Sequence, residues 1–246
     1  MTAHPTEPNE IKTPQPALSL VFPVFDEVEN LGELIDSALQ ITDRLAGDFE
    51  IVLVDDGSRD GSAELIDALC ARHSRIRSLR HECNIGYGAA LRSGLRYARG
   101  ELVFFSDADL QFDLFEIEKL LEHSDRFDIV AGYRQPRRDP WPRKLLAAGW
   151  GGIVRRLFDV HVRDIDCAFK LFRRHVIEAM PIASIGAFVN TEILVRAQAA
   201  GYRVHQVPVS HRRRQNGRQS GANPRVIARA VRELVVLYRE LRDTRR

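Results

Sequence analysis

The sequence predicts an α/β protein whose central sheet is mostly parallel and flanked by helices. Three observations carry that prediction. Short apolar runs rich in Val, Ile, Leu and Phe fall at 17–25, 49–58, 101–109 and 127–133. Helical patterns separate or follow them at 29–45, 60–72, 87–98 and 113–123. Polar clusters, "FPVFDE", "VDDGSRDGS" and "SDADLQ", stand where three of the apolar runs stop. Apolar runs alternating with helices belong to parallel strands whose two faces are both covered.

Each element follows from its own residues. "ALSLVFPVF" (17–25) and "FEIVLVDDGS" (49–58) are the first two strands, and a shorter one at 76–79 keeps the rhythm. "ELVFFSDAD" (101–109) and "FDIVAGY" (127–133) continue it. Beyond 134 the pattern loosens into a Pro/Arg loop (134–143), a helix (144–158), a strand "DCAFKLF", a helix at 190–200 and a strand "RVHQVPV". The loop "SHRRRQNGRQSGANP" then leads into a final helix. The expected organisation is a disordered lead-in at 1–16, one domain at 17–222 and a basic amphipathic helix at 223–246.

The 246 residues suffice for one large α/β domain or two small ones. Net charge is only +2, yet 203–246 holds twelve arginines against three acids, so that end carries +9 and the rest −7. Such a segment suits an anionic partner: phosphate, nucleic acid or an anionic membrane surface. No aromatic residues interleave it in the manner of a nucleic-acid surface, and nucleic acid is not expected. Cys70, Cys83 and Cys167 show neither paired nor zinc-type spacing. The first residues contain four prolines and no apolar core of a signal peptide, and no run is long enough to span a bilayer. A cytoplasmic protein, peripheral on the membrane, is expected.

In sheets of this class ligands bind outside the carboxyl ends of the strands, so the three polar clusters converge on one edge. "VDDGSRDGS" reads either as a turn capped by Ser58 or Asp60, or as carboxylates that accept from a nucleobase or ribose. "SDADLQ" puts Asp107 and Asp109 two residues apart, able to point the same way, with the Gln111 amide beyond. Mg2+ or Mn2+ prefers one or two carboxylates completed by substrate phosphates, so Asp107, Asp109 and Gln111 are candidate metal ligands. The plainer alternative is a solvated turn followed by a helix cap at Asp113.

The set "FPVFDEVENL", "VDDGSRDGS", "NIGYGAALRSGL", "SDADLQFDLFEI", "DIDCAFKLFRR" and "VPVSHRRRQNGRQS" resembles, in that order, family 2 glycosyltransferases of the GT-A fold. It is most similar to the branch holding dolichol-phosphate mannosyltransferase and the bacterial polyprenyl-phosphate glycosyltransferases. The resemblance covers 17–222 and implies roles by position. Pro23, Phe25 and Glu27 match the nucleotide-pocket motif, with Phe25 keeping a stacking face and losing a hydroxyl. Val54 and Asp56 match residues holding base and ribose. Asp107, Ala108, Asp109 and Gln111 match the metal and diphosphate segment. Arg134 and Arg143 match arginines of the phosphate environment. Arg214 and Gly217 match the mobile loop that closes over the phosphates, with Arg213 beside them. The usual lysine after that loop is missing, and Arg218 is the nearest cation. Asp109, Arg134 and Arg214 are the implied catalytic set.

The implied reaction is an inverting, metal-dependent transfer of a mannose- or glucose-type hexose from a GDP- or UDP-linked donor to a polyprenyl phosphate. A lipid phosphate is already an anion and needs arginines rather than a general base. An alcohol acceptor needs a base, for which Glu192 is the best candidate, with Asp164 and Asp166 behind it. Glu192 reads equally as a first-turn helix acid, and Asp164 and Asp166 as partners of nearby arginines. A non-catalytic nucleotide-sugar binding module is the third reading. On the last helix Ile227, Val231, Leu234, Val235 and Tyr238 form one stripe among arginines, fit for packing on the domain, for a second subunit, or for a bilayer surface. A membrane partner protein or a homo-oligomer would serve the same end. His205 reads as structural, Trp141 and Trp150 as core packing or loop anchors ahead of lipid contacts, and for His211 a phosphate contact is the lesser reading.

Overall fold

A computed structural model of the chain describes residues 17–45, 47–136, 141–214 and 224–244. In chain order these form β1 (Leu18–Val24), α1 (Val28–Leu45), β2 (Phe49–Asp55), α2 (Ser62–Arg72), β3 (Ile76–Arg80), α3 (Tyr87–Tyr97) and β4 (Leu102–Ser106). A 3-10 turn (Leu114–Glu116), α4 (Ile117–Leu121), β5 (Ile129–Arg134), α5 (Trp141–Phe158) and β6 (Phe169–Arg173) follow. The rest is α6 (Arg174–Ala179), α7 (Val189–Ala199), β7 (Val204–Val209) and α8 (Pro224–Thr244).

Seven strands make one sheet in the order β3-β2-β1-β4-β6-β5-β7. All pairings are parallel except those of β6, which runs antiparallel to both β4 and β5. The carboxyl ends of the other six therefore share one edge with the amino end of β6. The chain order reverses between β1 and β4, the place where such sheets open a ligand crevice. The last β1–β4 pair is Val21↔Phe105, so Pro23 lies where β1 no longer pairs with β4 and its missing N–H leaves no rung of that ladder open.

β1 and β2 are buried along their whole length, which is why they read as unbroken apolar runs. Helix α3 lies close over both. A Cβ on Gly94 would sit 2.5 Å from Val21 Cγ1 and 2.8 Å from Val54 Cγ2, so only glycine allows that approach.

Two departures from the sequence expectations have local causes. The helix expected over 113–123 is a 3-10 turn plus a five-residue α4, because Asp113 caps the turn by accepting from Phe115 N at 3.1 Å. The strand expected from 166 begins at Phe169, since the preceding residues form a loop at the sheet edge. Helix α8 is divided between two environments. Leu234 and Leu237 join Val154, Phe188, Leu194 and Val195 in an apolar cluster separate from the main core. Ile227, Val231, Val235 and Val236 remain exposed. The single stripe read from sequence thus splits, with only part of it packing on the domain. Trp150 packs edge-on against Phe188 and donates to Thr191 Oγ1, and His205 stacks on Phe127, so both are structural as expected.

Candidate functional site

The candidate site is built on the strand ends of β1, β2, β4 and β5 and on the loop that follows β7. At the end of β1 the chain turns sharply, with Asp26 in the left-handed region at φ 53°. That turn is capped from its neighbour. Ser58 Oγ accepts from Asp26 N, Ser62 Oγ from Glu27 N and Asp60 Oδ2 from Val28 N. Ser58 and Asp60 were expected to cap the helix that follows them; Asp60 Oδ1 does accept from Ser62 N at 3.0 Å at the start of α2, and both residues also satisfy open N–H groups leading into α1. Burial pushes the Asp60 carboxyl up, but hydrogen bonds from Ser62 and from Val28 N outweigh it and hold the pKa below the ordinary range.

Phe25 is 43% exposed at this edge, an aromatic face open to a flat ligand. Val54 has no exposure and packs beneath α3, so its side chain belongs to the core and the expected ligand contact is corrected for that side chain. Pro23 is buried in β1.

Asp56 is committed to protein donors. It accepts from Ile85 N at 3.1 Å, Gly86 N at 2.9 Å and His81 Nδ1 at 2.7 Å, and His81 Nε2 lies 3.0 Å from Ser93 Oγ. It therefore ties the loop between β3 and α3 to the end of β2.

At the end of β4, Tyr87 donates its hydroxyl to Asp107 Oδ1 at 2.7 Å. Burial, together with the negative charge of Asp109, raises the Asp107 carboxyl to about 7, against the pull of Tyr87, Lys170 and Arg134. Ala108 is buried between the two carboxylates. Asp109 is 6% exposed and accepts from Gln111 N at 3.2 Å. Leu110, between them, is held at φ 58°, a costly conformation for a branched residue that shapes the turn carrying Asp109.

The segment after β7 docks on this turn. Arg212 N donates to Gln111 O at 2.7 Å and Gln111 Nε2 to Arg212 O at 3.1 Å, while His211 bridges to Phe112. Arg212 also pairs with Asp113 at 2.9 Å. The docking brings the Arg214 guanidinium between two carboxylates, with Nη1 3.3 Å from Asp109 Oδ2 and Nη2 against Glu27 Oε1. Burial raises the Glu27 carboxyl despite that arginine and the hydrogen bond from Asn30. Arg213 is exposed. Gly217 and Arg218 lie outside the described residues, and Arg143 falls on α5 where only the backbone is described.

Arg134 and Asp164 form a buried bidentate pair, 2.6 Å from Nε to Oδ2 and 2.7 Å from Nη2 to Oδ1. The salt-bridge reading of Asp164 thus stands, and Arg134 is anchored at the edge rather than loose in it. Glu192 is corrected outright as a candidate base. It is 2% exposed and accepts from Ala183 N, from Ser184 N at 2.7 Å and from Arg196 Nε at 2.8 Å. A carboxylate so occupied anchors a loop and has no open oxygen for an acceptor proton.

Tyr87 and Lys170 went unnoticed in the sequence. Lys170 is fully buried in β6 and donates to Asn190 Oδ1 at 2.7 Å and to Cys167 O, and burial lowers it to about 8. A lysine inside the apolar run "AFKLF" was the available signal.

Among the described residues no three His, Cys, Asp or Glu side chains cluster about one point. The donor set still fits Mg2+ or Mn2+ of the kind completed by phosphate oxygens. Asp109 faces a cation already, in the form of Arg214. Asp107 is engaged by Tyr87 on one oxygen, and the Gln111 amide nitrogen by Arg212 O, so the Gln111 atom able to ligate a cation is its oxygen.

A mostly parallel sheet with paired carboxylates at its switch point and an arginine docked against them is an α/β fold with a charged strand-end crevice suited to a phosphate-bearing ligand. The model of "Glycosyl transferase family 2" matches residues 19–180, and the chain belongs to that family. It is 34% identical over 202 residues to undecaprenyl-phosphate 4-deoxy-4-formamido-L-arabinose transferase of Aeromonas hydrophila, covering 81% of this chain and 61% of that protein. The protein of the same name from Edwardsiella ictaluri gives the same figures. This chain thus spans about three fifths of the length of these relatives. Among solved structures, glucosyl-3-phosphoglycerate synthase from Mycobacterium tuberculosis with Mn2+ and UDP-glucose superposes with a TM-score of 0.68 at 19% identity, covering 92% of this chain and 79% of that one. The same enzyme with Mn2+, UDP and glucosyl-3-phosphoglycerate gives 0.62 at 21% identity, covering 92% and 77%. These neighbours share the GT-A fold with this chain.

Proposed function

We propose that the protein transfers a sugar, a mannose- or glucose-type hexose, from a nucleoside diphosphate to a polyprenyl phosphate with inversion at the anomeric carbon. The observation that carries this reading is the docking of Arg212–Arg214 onto the Asp107–Gln111 turn. It sets a guanidinium against Asp109 and Glu27 at the strand-end crevice. The relatives named undecaprenyl-phosphate transferases support the acceptor class, and the UDP bound by the structural neighbours favours a uridine donor over a guanosine one.

In this reading Phe25 stacks on the base. Asp109, with Asp107 and the Gln111 oxygen, would hold a Mg2+ or Mn2+, which would supply Lewis-acid stabilisation of the departing diphosphate. Arg214, released from Asp109 and Glu27, turns its fork to phosphate oxygens. Arg134, fixed by Asp164, keeps positive charge on the acceptor side, and Arg213 is exposed after β7, while Arg143 and Gly217 enter this reading through the resemblance alone. An oxygen of the lipid phosphate forms the new bond to the anomeric carbon. The old bond breaks with its electron pair going to the diphosphate oxygen. No proton is transferred, which agrees with Glu192 being closed to an acceptor.

No helix among the described residues is long and apolar enough to cross a membrane. Ile227, Val231, Val235 and Val236 of α8 and Ile153 and Leu157 of α5 are exposed apolar residues, and Arg225, Arg232 and Arg239 are exposed on α8. That combination suits an anionic bilayer on its cytoplasmic face.

The test is nucleotide release from UDP- and GDP-sugars with Mn2+ or Mg2+, with and without undecaprenyl phosphate in detergent. Lipid-stimulated release of UDP is expected. Release stimulated by an alcohol acceptor and indifferent to lipid would overturn the acceptor class. Tight donor binding with no turnover under any condition would favour a binding module.

A further inference from the structure

A chain of contacts runs from α8 to both strand-end aspartates. Glu233 Oε1 accepts from Ile185 N at 3.1 Å, and Glu233 Oε2 is buried with no hydrogen-bond partner among the described residues. Glu240 pairs bidentately with Arg196, which holds Glu192, and Glu192 accepts from Ala183 N and Ser184 N. Two acids of α8 thus brace the 183–186 loop, one directly and one through α7. That loop in turn abuts the start of α3. Gly88 N donates to Ile185 O at 3.0 Å, and a Cβ on Gly88 would lie 2.6 Å from Gly186 O and 2.7 Å from Ser184 O. Gly86, at φ 117°, is pressed against Ile185 O as well. The same few residues reach the site: Ile85 N and Gly86 N on Asp56, and Tyr87 Oη on Asp107.

We infer that Glu233 of α8 is a positioning residue for the donor side of the site, acting through the 183–186 loop on Ile85–Tyr87 and so on Asp56 and Asp107. This inference rests on the proposed nucleotide-sugar site. A glutamate at this position sets a carboxylate oxygen against the Ile185 N–H and so ties α8 directly to the loop. The loop carbonyls can press on glycines only if the loop is held from behind, and Glu233 and Glu192 hold it. Helix α8 also carries the exposed apolar face, so whatever covers that face bears on the same brace.

The experiment uses the full chain with Glu233→Ala and Glu233→Gln, the second of which keeps an oxygen for Ile185 N–H. Amide hydrogen exchange is followed in the metal- and nucleotide-free protein, and UDP affinity is measured by calorimetry with Mn2+. Glu233→Ala is expected to speed exchange at 85–88 and weaken UDP binding about tenfold, the equivalent of one buried hydrogen bond, while β1 and β2 stay protected. Glu233→Gln is expected to restore both. Unchanged exchange at 85–88 in Glu233→Ala overturns the inference, as does faster exchange spread evenly over the whole chain. Faster exchange confined to 85–88, in a protein that binds no UDP even unmutated, upholds the brace and instead overturns the nucleotide-sugar reading.

Discussion

The Arg214 guanidinium lies 3.3 Å from the Asp109 carboxylate, joining the loop after β7 to the turn after β4. Asp109 is nearly buried, and a bare carboxylate there would be costly. Arg214 supplies the compensating positive charge while also pairing with Glu27. On the proposed reading a divalent cation at Asp109 would compete with Arg214 for that carboxylate, so loading the site and freeing the arginine for phosphate would be linked.

Asp109→Ala is expected to lower metal-dependent transfer by at least roughly 100-fold. The fold should persist, since Asp109 belongs to a turn and not to the main apolar core. Sugar transfer with Mn2+, Mn2+ binding by calorimetry and circular dichroism together check this. A variant that stays folded and keeps full activity would remove Asp109 from the metal site.

Asp164→Asn should be strongly destabilising. The pair it breaks has side chains only 7% and 9% exposed, and removing one partner of a buried pair typically costs about 3–5 kcal/mol. Arg134→Lys keeps the charge and loses the fork, so it should fall between Asp164→Asn and the unaltered protein. Urea unfolding of the three proteins gives the order. Asp164→Asn as stable as the parent would mean that Arg134 finds its charge compensation elsewhere.

The layered sheet was legible in sequence because strands buried on both faces must be continuously apolar, as β1 and β2 are. The reversed direction of β6 was not, since a buried strand shows the same residues whichever way it runs. Asp107 and Asp109 stood out because two acids ending an apolar run need a reason. Tyr87 and Lys170 did not, because their partners Asp107 and Asn190 are distant in sequence. Of the two readings of Glu192, the first-turn helix acid stands and the base does not, and sequence left them level for a related cause. An acid in the first turn of a helix looks alike whether it faces solvent or, as here, the backbone of another loop.

Glu192→Gln distinguishes an anchor from a base. An anchor predicts lower stability, because Arg196 and two backbone N–H groups lose a charged acceptor, with roughly 1–3 kcal/mol at stake. It also predicts a pH profile of kcat with the same shape as the parent's. Loss of the acidic limb of that profile, with stability unchanged, would make Glu192 a base and shift the acceptor to an alcohol.

Lys170 gives a prediction whose sign can be worked out. Burial lowers its pKa from the ordinary 10.5 to about 8, so between those values the unfolded chain holds a proton that the folded one has released. Stability rises with pH wherever the unfolded state binds more protons, so this lysine adds stability as pH climbs from about 8 and adds nothing further below that. Cys167 acts the other way. Burial raises its thiol from 9.0 to about 12, so its contribution falls as pH passes 9. The clean window is therefore pH 8 to 9. Urea midpoints across it should rise more steeply for the parent than for Lys170→Met, which carries no titrating group in β6 at that position. Parallel curves would mean that Lys170 keeps its proton in the folded protein, held by Asn190 Oδ1 and the Cys167 carbonyl strongly enough to cancel the effect of burial.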